Sequence, residues 1–256
     1  IYDSIKIKVL STNNKNIDLK INGRFKKDLS NQPKKNIVYK AASYFMKKYN
    51  IESDILITLN KNLPVASGIG GGSADAAATL RKLLKLFNIN KSIFYKNLHT
   101  EIAKELGADI PVCLYSSALN IKNIGEKISN FPINLKKIII NNNYIILITP
   151  NKPISTKMVF NNWSKKPQHT NIINKNKHYP TIGINDLKST AENIEHSIIT
   201  AQKMLSLQNG IKYFGMSGSG ATCFGLFRKR NLATQAENKI KQLRPKWWVK
   251  SASIII

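Results

Sequence analysis

From Pro64 to Ala77 the chain reads Pro-Val-Ala-Ser-Gly-Ile-Gly-Gly-Gly-Ser-Ala-Asp-Ala-Ala, with glycine at 68, 70, 71 and 72 and serine at 67 and 73. Glycine lets a backbone approach an anion and take positive φ. The first turn of a helix adds N–H groups without intrahelical partners, at the positive end of the macrodipole. A glycine run entering an alanine-rich helix is therefore a cradle for phosphate. A plain turn between strand and helix is the alternative, and the flanks weigh against it. Residues 55–59 are a β-branched run of strand length, and Leu80, Leu83, Leu84 and Phe87 share one helical face. Two common nucleotide loops are excluded by inspection. A Walker A loop ends in Gly-Lys-Ser/Thr, but no lysine lies between Pro64 and Leu80; a dinucleotide fingerprint needs glycine where Ser73 stands.

Two further segments follow in order. Leu106-Gly107-Ala108-Asp109-Ile110-Pro111-Val112 places a carboxylate after helical residues 102–106 break at Gly107, and Gly215-Met216-Ser217-Gly218-Ser219-Gly220-Ala221-Thr222 is a second glycine segment, leading into the alternating run 222–227. Read alone, Asp109 is a helix cap or an acid-base group, and residues 215–220 are a tight turn or a ligand loop. Together the three segments, with Asn36-Ile37-Val38, Pro153-Ile154-Ser155-Thr156 and Asn185-Asp186-Leu187 between them, resemble the motifs of the GHMP kinases over nearly the whole chain. Within that family they are most similar to the branch that phosphorylates a cytidylyl-carrying polyol; homoserine and mevalonate kinases are the alternatives.

The resemblance implies ATP and Mg²⁺ as cofactors and transfer of a phosphoryl group to an alcohol. That reaction needs in-line placement, neutralised phosphate charge and a carboxylate near the accepting hydroxyl. It implies Asp109 as the catalytic carboxylate and Pro64, Gly68, Gly70, Gly71, Gly72 and Ser73 around the ATP phosphates. Ser73 is also the Mg²⁺ candidate, a role compatible with an N-cap. Asn36 and Lys61 frame the adenine, with an N-cap of the helix from residue 37 as the other use of Asn36; Thr156 lies near the reacting end, and Phe160 stacks on cytosine or belongs to the core. Ser217, Gly218, Ser219 and Gly220 lie against the active site. Asp75 is placed in the first helical turn, where it favours the dipole and has no catalytic part. The family's opening strand, with a catalytic lysine and a Gly-Tyr-His segment for cytidine, has no counterpart before Tyr2-Asp3. The expectation is an N-terminally incomplete sequence, or else a degenerate enzyme, that binds ATP better than it transfers phosphate.

The elements that must position these residues form an α+β protein. The resemblance implies a two-domain GHMP kinase fold with the active site in the interdomain cleft. The polar run at 141–143 divides residues 1–142, an ATP-binding domain, from residues 143–256. Ile138-Ile139-Ile140 and residues 144–149 are strand-sized; residues 163–180, rich in lysine and asparagine, read as a loop, 185–207 as one helix and 233–243 as another. Cys113 and Cys223 sit in apolar, strand-like runs with no metal spacing, as expected of reduced, buried thiols in a cytoplasmic protein. No run reaches the length of a membrane span. The net charge of +26 attracts polyanions, but only five of the 40 basic residues are arginine and they are scattered, so no specific nucleic-acid binding is expected. The partners expected are a small-molecule substrate, and no membrane, for a monomer or homodimer.

Overall fold

The computed structural model describes residues 1–11, 15–29, 32–123, 125–164 and 185–255. In chain order the elements are β1 (Ser4–Ser11), β2 (Ile17–Asn22), α1 (Ile37–Lys48), β3 (Asp54–Asn60), α2 (Gly71–Leu86), α3 (Lys91–Glu105), α4 (Ile110–Tyr115), β4 (Leu119–Lys122) and β5 (Lys127–Asn130). There follow α5 (Ile133–Asn141), β6 (Tyr144–Thr149), α6 (Thr156–Asn162), α7 (Lys188–Ile194), α8 (Ser197–Ser206), β7 (Ile211–Met216), β8 (Cys223–Phe227), α9 (Arg230–Leu243) and β9 (Trp248–Ser253). They pack as two compact units. The first holds Tyr2–Val65 and Gly70–Pro132; the second holds Ile1, Ala66–Ile69 and Ile133–Ile256.

In the first unit β3 is central, antiparallel to β1 and parallel to β2, so that Ile57 stands opposite both Ile7 and Leu19. Side chains alternate across a strand, and Ile55, Ile57 and Leu59 all point into the core. There they meet Val38, Ala41, Ala42 and Phe45 of α1 and Ala76, Ala77, Leu80, Leu83 and Leu84 of α2. Each large side chain so buried contributes about 1.5–3 kcal/mol of transfer free energy. Phe94 and Ile102 of α3 and Ile110 and Leu114 of α4 complete this cluster.

The second unit carries an antiparallel sheet in the order β7-β8-β6-β9. Ile146, Ile148, Cys223, Phe227 and Val249 pack with Ile198, Ala201 and Leu205 of α8 and with Ala233, Ala236 and Ile240 of α9. The α9 positions recur at helical spacing, one face of an amphipathic helix.

Several expected elements differ. Ile138-Ile139-Ile140 belongs to helix α5, because a short apolar run does not by itself select a period. Of the polar run at 141–143 the first residue closes that helix, Asn142 Nδ2 donates back to the Ile138 carbonyl at 2.8 Å, and β6 begins at Tyr144. Residues 185–207 form two helices, since Glu195 is extended at φ −139°, ψ 98°, and its carboxylate accepts the N–H of Ser197 at 2.9 Å to start α8. Cys113 lies on α4, where Pro111 in the first turn pre-sets a helical φ, and is only half-buried. The expected loop at 163–180 lies, from residue 165 on, outside the described residues.

Candidate active site

Helix α2 begins one turn earlier than a serine cap would place it. Gly70 is its N-cap, at φ +68° and ψ +15°, and a Cβ there would meet no atom within 4 Å. The first intrahelical bond runs from Ala74 N–H to the Gly70 carbonyl at 2.9 Å. The N–H groups of Gly71, Gly72 and Ser73 therefore precede the ladder, and Gly70 has no side chain to cap them. Ser73 is the third helical residue, half-buried, not the N-cap. Its hydroxyl stands in the turn that presents the donors. Pro64, ahead of this turn, is buried.

Beneath the turn lies an ion cluster. Lys61 Nζ is 2.5 Å from Asp3 Oδ2 and 2.8 Å from Asp75 Oδ2, with the three side chains no more than 7% exposed. A Cβ on Gly71 would come within 3.4 Å of that ammonium. Asp3 Oδ1 also accepts the N–H groups of Asn62 and Leu63, at 2.5 and 2.9 Å, which pins the chain leading to the glycines. Burial pushes the Asp75 carboxyl up to about 6; the Lys61 ammonium pulls against this and the Asp3 carboxylate adds to it. Asp75 thus sits in the second turn, buried, and not in the first turn at the dipole. Lys61 gives its ammonium to carboxylates, its N–H to Asn22 and its carbonyl to Phe25.

Asp109 occupies the N-cap position of α4, makes no side-chain capping bond and is exposed. The plain capping use of this carboxylate is absent, which leaves it open to other chemistry. Burial, with the Asp109 charge adding to it, pushes the Cys113 thiol up, and burial pushes Cys223 up to about 12, so neither is a ready nucleophile. Asn36 does cap α1, its Oδ1 accepting the Val38 N–H at 2.9 Å.

In the second unit Gly68 faces protein. At φ +76°, a Cβ on it would lie 2.5 Å from the carbonyl oxygens of Ser217 and Gly220. Ser217 Oγ donates to the Gly68 carbonyl at 2.9 Å and the Thr222 N–H to that of Ser67 at 3.1 Å. Gly218 is held in turn, its carbonyl accepting from Asn185 Nδ2 at 2.9 Å. Ser219 Oγ and Thr156 Oγ1 are 3.0 Å apart, which brings the third segment to the head of α6. Phe160 is 50% exposed and meets Trp163 edge-on, with 6.4 Å between ring centroids, so it is not a core residue. The structure thus joins Gly68 to residues 217–222 and Thr156 to Ser219. Within the first unit it joins Lys61 to the start of α2.

Residues 36–117 match the family signature described as GHMP kinases N terminal domain, and residues 179–246 match GHMP kinases C terminal. The chain is 36% identical over 245 residues to the 4-diphosphocytidyl-2-C-methyl-D-erythritol kinase of Sinorhizobium medicae, covering 90% of this chain and 78% of that one. The chain belongs to the 4-diphosphocytidyl-2-C-methyl-D-erythritol kinase family. To the Clostridium botulinum kinase of the same name it is 37% identical over 204 residues, 76% of this chain and 69% of the relative. The fold agrees with the crystal structure of a 4-(cytidine 5'-diphospho)-2C-methyl-D-erythritol kinase at a TM-score of 0.73 and 20% identity, covering 98% of this chain and 86% of that one.

For this kinase family member, the N-terminal signature spans Asn36, Lys61, the glycines of α2 and Asp109, and the C-terminal one spans Ser217 to Gly220. Thr156 and Phe160 fall between the two. Sequence reasoning missed the buried partners Asp3 and Asp75. A signal for Asp75 was present: stepping back from Leu83 by four and eight residues along the apolar face gives Thr79 and Asp75, both buried. Nothing local marked Asp3, whose partners are 58 residues and more away. Among the described residues no group of three or more His, Cys, Asp or Glu side chains could hold a metal ion, and no helix is long and apolar enough to cross a membrane.

Proposed function

We infer that this protein transfers the γ-phosphoryl group of ATP to the 2-hydroxyl of 4-diphosphocytidyl-2-C-methyl-D-erythritol, in the non-mevalonate route to isoprenoid precursors. The observation that carries the reading is the open start of α2, with its unblocked N–H groups and clear space at Gly70, in a chain 36% identical to a kinase of that name over 90% of its length. The ATP phosphates would lie on the N–H groups of Gly71, Gly72 and Ser73, where helix dipole and donors favour anions. Asn36 would stand at the adenine. Asp109 would orient the acceptor hydroxyl and take its proton as the new O–P bond forms and the bond from the γ-phosphorus to the bridging oxygen breaks, releasing ADP. Phe160, 50% exposed, would stack on the cytosine ring, and Thr156, 3.0 Å from Ser219, would stand near the reacting end. Mg²⁺ would take most of its ligands from phosphate oxygens and water, with the Ser73 hydroxyl as a protein contact, and would supply neutralisation of charge on the phosphates. The setting is the cytoplasm, as a monomer or homodimer.

Product analysis tests this. Incubation with ATP and, separately, the cytidylyl polyol, homoserine and mevalonate should give a phosphorylated product from the first alone. Phosphorylation of homoserine or mevalonate without the cytidylyl acceptor would overturn the assignment.

A further inference from the structure

Asp109 stands at the head of α4, a helix of six residues. So short a helix does not persist on its own hydrogen bonds in water, so what holds α4 also decides where the carboxylate is. Ile110, Pro111 and Leu114 are buried beneath it. Its far end is held by Arg81: Nη1 donates to the Cys113 carbonyl at 2.6 Å and lies 3.4 Å from that of Leu114. The Cys113 N–H in turn donates to the carbonyl of Asp109 at 3.2 Å. One residue, Cys113, thus links the guanidinium to the Asp109 backbone. The cation also sits at the negative end of the α4 dipole, the favourable sign.

Arg81 belongs to α2, the helix whose first turn is Gly71-Gly72-Ser73. A single rigid element therefore presents the phosphate-binding turn at its start and grips the carboxylate's helix from its middle. We propose that Arg81 is a positioning residue for phosphoryl transfer, fixing through the Cys113 and Leu114 carbonyls where Asp109 stands relative to the start of α2. In-line transfer is sensitive to such placement, because the accepting oxygen must be held on the axis of the breaking bond. The proposal rests on the reading of Asp109 as the group that receives the hydroxyl proton.

The test is a double-mutant cycle on the full chain, with kcat and the KM for ATP measured separately. Arg81→Met keeps length and removes every donor; it should lower kcat about 10- to 100-fold, the size of loss that a misplacement of about 1 Å brings, and leave the KM for ATP within about twofold. Arg81→Lys, which keeps a cation and donor, should recover much of the rate. In an Asp109→Asn background, Arg81→Met should add little, because the carboxylate it positions is gone. A kcat that Arg81→Met leaves intact, or losses that multiply in the double variant, would overturn the proposal. Wild-type turnover in Asp109→Asn would overturn the reading of Asp109 instead. If Arg81→Met does not fold, judged by circular dichroism, Arg81→Gln and Arg81→Lys carry the same cycle.

Discussion

Gly68 and Gly70 are two residues apart, share a left-handed backbone at φ +76° and +68°, and do opposite things. A Cβ at Gly70 would enter open space, whereas at Gly68 it would strike the Ser217 and Gly220 carbonyl oxygens at 2.5 Å. Gly70 leaves the space before its helix clear, and Gly68 lets two backbones close on each other. Their support differs too. The start of α2 rests on a buried lysine between two carboxylates, while residues 66–69 and 217–222 are tied by backbone and hydroxyl hydrogen bonds. Glycine-rich sequence therefore does not equal ligand-binding surface; what stands opposite the missing Cβ decides.

The contrast can be broken by substitution. Lys61→Met strands two buried carboxylates and should destabilise the first unit by about 3–5 kcal/mol, read by urea denaturation. A small effect would mean the cluster is not what supports α2. Gly68→Ala, in left-handed backbone against carbonyl oxygens, should cost about 3 kcal/mol or more, seen as a large fall in Tm. A stable Gly68→Ala would show that the 66–69 and 217–222 backbones are free to part.

A pH series on Asp75→Asn sharpens the ionic side. The Asp75 carboxyl stands at about 6 in the fold against an ordinary 3.8, so protonation favours the folded state. That contribution is complete below the ordinary value and is lost as pH rises through about 6. Wild type should lose stability relative to Asp75→Asn across this window with a slope of up to about 1.4 kcal/mol per pH unit. Parallel stability curves would mean Asp75 does not titrate there. Gly70→Ala should be the mildest change to the fold, about 1–2 kcal/mol for left-handed backbone with no clash. Its larger consequence should be weaker ATP binding by calorimetry; unchanged affinity would place the phosphates elsewhere.

Much of this was legible in the chain. The strand at 54–60, the helix from 37, the glycine helix with its apolar face and strand β8 follow from period and capping chemistry. The three ordered motifs pointed to the family. Where local pattern was ambiguous, tertiary context chose: Ile138-Ile139-Ile140 went to a helix, and the Cys113 run became α4. Lys61 was legible as a lysine before a phosphate loop, but its burial between Asp3 and Asp75 depends on a strand end 58 residues away.

By itself the sequence determined that a glycine run enters a helix, that this run is neither a Walker A loop nor a dinucleotide loop, and that a carboxylate and a second glycine segment accompany it, because residue type and short spacing suffice for those statements. Only the tertiary structure decided which glycines stay open and which pack shut, that Asp75 is buried near the start of α2, and that Arg81 holds the helix carrying Asp109. Those are properties of what lies across a contact, and contact partners far apart in the chain leave no local trace.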